Sequence, residues 1–165
     1  MQAHSIEKMI QYFGADVRRI NHALKVYAFA SCIARKENLN TEKITIVEIA
    51  AILHDIGIVE AEKKYNSTAG KYQEMEGPLV ARELLSDTGI SAEMLERICY
   101  LIGNHHSYQN IDDLDLQVLI EADFLVNIFE DGMPENSIRS VRDKYFKTKT
   151  GIGMIESMYL QKSGT

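Results

Sequence analysis

The chain has no tryptophan, two prolines and two cysteines in 165 residues. With so few prolines, helices can run uninterrupted, and period-two alternation of β-branched residues is also scarce, so the pattern excludes a sheet-rich fold and predicts an all-α one. Cys32 and Cys99 each lie among apolar residues without CxxC spacing. That excludes a thiolate metal cluster and reads as two reduced core residues. No apolar run is long enough to span a membrane, and residues 1–10 lack the basic and apolar regions of a secretory leader, so a cytoplasmic protein is expected. Positive charge is not in excess: the formal net charge is −6, which excludes the basic stripe of a general nucleic-acid binder. There is no repeat, low-complexity segment or linker, so one domain over residues 1–165 is expected.

What is present is a succession of amphipathic segments. Residues 4–13 predict a first helix ending at Gly14, and Asp16 caps a second that runs to about Asn38. Asn40 or Thr41 caps a central helix in which, from Ile46 to Leu53, only Glu48 is polar; such a helix belongs in an interior. Residues 58–73, with few apolar side chains, predict a loop long enough to act as a lid, whose Lys63, Lys64 and Lys71 can meet an anionic substrate. Gly77-Pro78 predicts a helix start, Ser91 a cap for residues 92–102, and Asp112, Asp113 or Asp115 the start of a helix to Glu130 with Val118, Ala122, Leu125 and Phe129 as its core stripe. Pro134 opens a last amphipathic helix, and the Gly-rich tail after Thr150 carries no assignment, giving a bundle of about six to seven helices.

Several polar residues sit where apolar ones are expected. His22 heads a buried stripe with Val26, Phe29 and Ile33. His54-Asp55 ends the apolar central helix and is closed by Gly57. His105-His106 follows an amphipathic helix, and Asp123 interrupts the densest apolar stretch of another. A buried imidazole or carboxylate requires a partner or a cation, and a helix C-terminus favours a cation. Mixed imidazole and carboxylate donors suit Mn, Fe, Co, Ni or Zn better than Ca.

The order His22, His54-Asp55, Asp123, with the contexts "ILHDIG", "EGPLVARELL" and "EADFL", resembles the HD-domain phosphohydrolase superfamily over about residues 16–130. The resemblance implies an all-α domain whose four matching residues hold a divalent transition metal, with Asp55 as the catalytic carboxylate that bridges to a second ion or orients water. It also implies hydrolysis of a phosphate ester or anhydride of a small phosphorylated substrate, often a nucleotide. Some members bind further ions through additional histidines. His105 and His106 match the later pair, while the earlier histidine is absent and Gln73, Glu74 or Glu76 stands in its region, Glu74 fitting best by offset. The basic residue often found after the dyad is replaced by Ile58 and Val59. Lys63, Lys64, Lys71, Arg82 and Asn104 are the available substrate contacts. A non-catalytic nucleotide- or metal-binding module and a di-iron oxygenase are the alternative readings, and a homo-oligomer is compatible with both.

Overall fold

The Asn40 side chain accepts from Lys43 N and starts the central helix, α3 (Thr41–Leu53), in which every residue from Ile46 to Leu53 is buried. A computed structural model describes residues 1–161 of the chain, and among these there is helix but no strand. Around α3 pack α1 (Gln2–Phe13), α2 (Val17–Lys36), α6 (Ala92–Ile102) and α7 (Leu114–Glu130), so that from Ile46 onward α3 has no solvent face left to be polar. Fully burying each Ile, Leu or Val there contributes roughly 1.5–3 kcal/mol. Glu48, the one polar residue of the run, accepts from Gln2 Nε2 (2.6 Å), Ser31 Oγ (2.6 Å) and Arg35 Nη2 (2.7 Å), which ties α1 and α2 to α3. Asp16 caps α2 by accepting from Arg19 N.

The remaining elements are α4 (Ile58–Tyr65), α5 (Gly70–Leu85), α8 (Glu135–Tyr145), α9 (Lys149–Ile155) and a π-helical turn (Glu156–Leu160). The described residues therefore hold nine α-helices rather than six to seven. Residues 58–73 form a loop only over 66–69. The polar run folds as a short helix with Ala61 as its buried contact and Glu60 paired to Lys63, and it stops at Asn66 in the left-handed conformation (φ 49°). Pro78 does not start a helix either: it lies inside α5, its ring against Gly103, where an added Cβ would meet it at 3.1 Å. Of the two cysteines, Cys99 is buried but Cys32 is exposed, and Phe129, expected in the core stripe of α7, is 77% exposed. No helix among the described residues is long and apolar enough to cross a membrane.

Helix α9 is held to α7 through Glu121. This fully buried carboxylate accepts from Gln117 Nε2 (2.7 Å), Lys147 N (2.6 Å), Thr148 N (2.9 Å) and Thr148 Oγ1. Glu121→Ala leaves these donors buried without an acceptor and is expected to cost about 3 kcal/mol, read as a lowered urea midpoint; Glu121→Gln, which keeps one acceptor oxygen, should cost less. Burial raises the Glu121 pKa against these hydrogen bonds. An acid whose pKa is raised on folding loses stability as pH rises from its unfolded value through its folded one, so Glu121→Gln should remove that component of the pH profile.

Candidate metal centre

Four helices bring six polar side chains to one place. His22 lies in the second turn of α2, His54 and Asp55 follow the last residue of α3, His105 and His106 follow α6, and Asp123 lies midway along α7. His22 Nε2 is 3.1 Å from His54 Nε2 and 3.2 Å from Asp123 Oδ1. Asp55 faces two ways: Oδ2 is 3.3 Å from His54 Nε2 and 3.6 Å from His22 Nε2, while Oδ1 is 3.5 Å from His105 Nε2. Two overlapping donor sets result, His22–His54–Asp123 and His54–Asp55–His105, each with its donor atoms within 4.8 Å of one another.

The rings are oriented by their other nitrogens. His54 Nδ1 donates to the Ala51 carbonyl (2.9 Å), and His105 Nδ1 donates to the Ile102 carbonyl (2.8 Å). His22 Nδ1 donates to Glu130 Oε2 (3.0 Å), a carboxylate that also accepts from Lys25. Carbonyl and carboxylate oxygens only accept, so the proton of each neutral ring is on Nδ1 and each Nε2 presents a lone pair. Three lone pairs and the oxygens of Asp55 and Asp123 thus converge with no donor among them. His105 Nε2, His106 Nε2 and Asp123 Oδ1 are buried without a hydrogen-bond partner. Such a set is stable only around a positive charge, and a divalent transition metal fits its donors. A proton can serve the same end. Burial pushes the His22 and His54 pKa values down, but Asp123 and Asp55 outweigh it, so His22 is raised and His54 is raised well above its ordinary value. Burial likewise opposes ionisation of the carboxyls, and the imidazoles outweigh it, holding Asp55 well below the ordinary range and Asp123 below it. His106 differs: burial, with His105 beside it, pushes it down to about 4, so its ring is neutral at pH 7.

The HD domain model matches residues 19–128. The chain belongs to the HD domain family. A solved structure described as a predicted HD superfamily hydrolase, from an uncultured Thermotogales bacterium, superposes with a TM-score of 0.69 at 24% identity, covering 94% of this chain and 83% of that one. At that identity the likeness is one of fold. No curated protein matches the chain.

The HD centre opens into a cavity of about 400 Å³ lined by Asp16, Arg18, Arg19, His22, Asp55, Ile58, Thr68, Asn127, Glu130 and Asp131. The structure brings together His22, His54, Asp55, His105 and Asp123, with the His106 ring against that of His105 (3.9 Å between centroids). Glu74 is placed differently: its Oε1 accepts from His106 N (3.0 Å) and Ser107 Oγ (3.1 Å), so it holds the turn that carries the histidine pair. Lys63 pairs with Glu60 (2.8 Å), Lys64 with Glu76 (2.6 Å), and Lys71 lies over the Tyr72 ring. Asn104 donates to the Tyr100 carbonyl and, with Arg82, lines a separate groove of about 890 Å³ whose Arg82, Lys43 and Arg97 are all ion-paired. None of these five lines the cavity at the HD centre. Sequence reading missed Glu130 and Arg18. Both were accessible by period: Glu130 is two turns from Asp123 on α7, and Arg18 is one turn before His22 on α2.

Proposed function

We propose that the chain is a metal-dependent phosphohydrolase that cleaves a phosphate ester or anhydride of a nucleotide or another small phosphorylated metabolite. The observation that carries this reading is the convergence of three Nε2 lone pairs and two carboxylates with no donor among them. His22, His54, Asp55 and Asp123 would hold one divalent ion. When bound, the ion supplies Lewis acidity toward phosphoryl oxygens and a nucleophile from water near neutral pH.

The chain's own groups do the rest. The Asp55 carboxylate, 23% exposed where its neighbours are closed off, faces the cavity and can accept a hydrogen bond from the attacking water, fixing its approach. Its two oxygens look toward different histidines, so its plane is set from both sides. Arg18, which lines the cavity and has no ion-pair partner among the described residues, is the cation available to meet phosphate charge that the centre leaves uncovered. Arg19 is held by Glu62 (2.6 Å) and Asp16 (3.2 Å) and shapes the wall rather than binding substrate. A 400 Å³ cavity suits a single small metabolite.

Metal content of the purified protein tests this, measured beside Asp55→Ala and followed by phosphate release from a panel of nucleotides and sugar phosphates. One or two transition-metal ions per chain, and turnover lost by at least about a thousandfold in Asp55→Ala, are expected. Absence of metal after incubation with Mn, Fe, Co, Ni or Zn, or full turnover in the variant, overturns the proposal.

A further inference from the structure

Three imidazoles present Nε2 to the HD centre, and two of them, His54 and His105, are held by a carbonyl of their own turn. His22 is held from another helix. Its Nδ1 donates to Glu130 Oε2 (3.0 Å), 108 residues away in the sequence, while its Nε2 faces Asp123 Oδ1 (3.2 Å). Asp123 and Glu130 stand two turns apart on α7, close to one face of that helix. Both nitrogens of one ring on α2 are therefore gripped by α7.

The two kinds of support are not chemically equal. A carbonyl is a neutral dipole, whereas a carboxylate carries a full charge, and a charge-assisted hydrogen bond is roughly twice as strong as a neutral one. A carboxylate on the far nitrogen also makes an imidazole a more basic metal ligand. At Glu130 that charge is shared. Its other oxygen accepts from Lys25 Nζ (2.7 Å), and Lys25 is the neighbour of His22 one turn along α2. The Glu130 side chain is 14% exposed and that of Lys25 49%, so the carboxylate is shielded while its counter-charge reaches water. Glu130 and His22 both line the cavity at the HD centre, which Lys25 does not.

We propose that Glu130 is a positioning residue of the HD centre, which aims His22 and raises its strength as a metal ligand, and that Lys25, by drawing on the same carboxylate, holds that strength down. The proposal rests on the metal-centre reading above. Two ligand rings are fixed within their own turns, and the third is set by a charge that a half-exposed lysine moderates. Neutralising Glu130 and neutralising Lys25 should then change metal affinity in opposite directions. If the pair were only a structural tie between α2 and α7, breaking it from either side would loosen the centre in the same direction.

The test is a titration of metal-stripped full-length protein with Mn²⁺, read as the Kd of the tightest ion at controlled free metal. Glu130→Gln keeps an acceptor for His22 Nδ1 but loses the charge, and should raise Kd by at least about tenfold. Lys25→Met should lower Kd by about two- to fivefold, the scale of an ion pair with one exposed partner. In the Glu130→Gln background Lys25→Met should have no effect, because its route to the metal has been removed. Lys25→Met alters only a half-exposed side chain, so the sign of its effect is readable whatever Glu130→Gln does to folding. An unchanged Kd in Glu130→Gln, weaker binding in Lys25→Met, or tightening by Lys25→Met that persists without the Glu130 charge overturns the assignment while leaving the metal centre intact. No binding in wild type overturns the metal-centre reading instead.

Discussion

Gly57→Ala is expected to destabilise the protein by at least about 3 kcal/mol, the top of the range for inserting one methyl into a packed interior. The added Cβ would lie 2.5 Å from the Gln73 carbonyl oxygen, 2.5 Å from Gly77 N and 2.8 Å from Gly77 Cα. All three are backbone atoms, so no side-chain rotation relieves the clash; α5 must move off the turn that follows Asp55. Gly77 has no slack to give, because its own added Cβ would meet Ile102 Cγ2 at 2.7 Å. The two glycines thus mark a close crossing that seats α5 on the His54-Asp55 turn and on α6 together. At roughly 2–4 °C per kcal/mol for a chain of this size, the unfolding temperature should fall by about 6–12 °C. Gly153→Ala is the control: it lies within α9 with nothing inside 4 Å of the added Cβ, and should be neutral or stabilising by up to about 1 kcal/mol. A Gly57→Ala protein as stable as Gly153→Ala would show that the crossing is not as close as described.

Stripping the metal with a chelator should lower stability by a comparable or larger amount. A ligand bound only by the folded state, present at a thousand times its dissociation constant, stabilises by about 4.1 kcal/mol. For this chain that corresponds to roughly 8–16 °C. Re-addition of metal should restore the transition in wild type and leave Asp55→Ala unchanged. Equal unfolding temperatures for loaded and stripped wild type would mean that folding and metal binding are uncoupled.

Much of this cluster was legible in the sequence, because each candidate ligand contradicts its surroundings. His22 heads an apolar stripe, His54-Asp55 ends an apolar helix, and Asp123 sits in an apolar stretch; burial made each anomaly visible without knowledge of the packing. Elements stabilised by long-range contacts were not legible. Polar composition hid α4, whose eight residues bury a single Ala61 and are held by ion pairs with Glu60 and with Glu76 of α5. Pro78 suggested a helix start because its local preference is for a first turn, and the packing of its ring on Gly103 is information carried 25 residues away. The placements of Glu74 and Gln73 were likewise unreadable. Adjacent positions on one helix differ only in direction, and direction is set by partners at residues 106, 107 and 68.

The anchoring of His54 and His105 has a consequence for metal capture. Each ring is held by the carbonyl three residues before it, at the end of its own helix, so the torsions that aim Nε2 are encoded within four consecutive residues in both cases. Those carbonyls are among the four that a helix C-terminus leaves without an intrahelical donor. Fixing the ligand rotamer and satisfying the helix end are therefore one event, completed before any ion arrives. The entropy of immobilising these two side chains belongs to folding rather than to coordination, and incoming metal meets a site that has little left to reorganise.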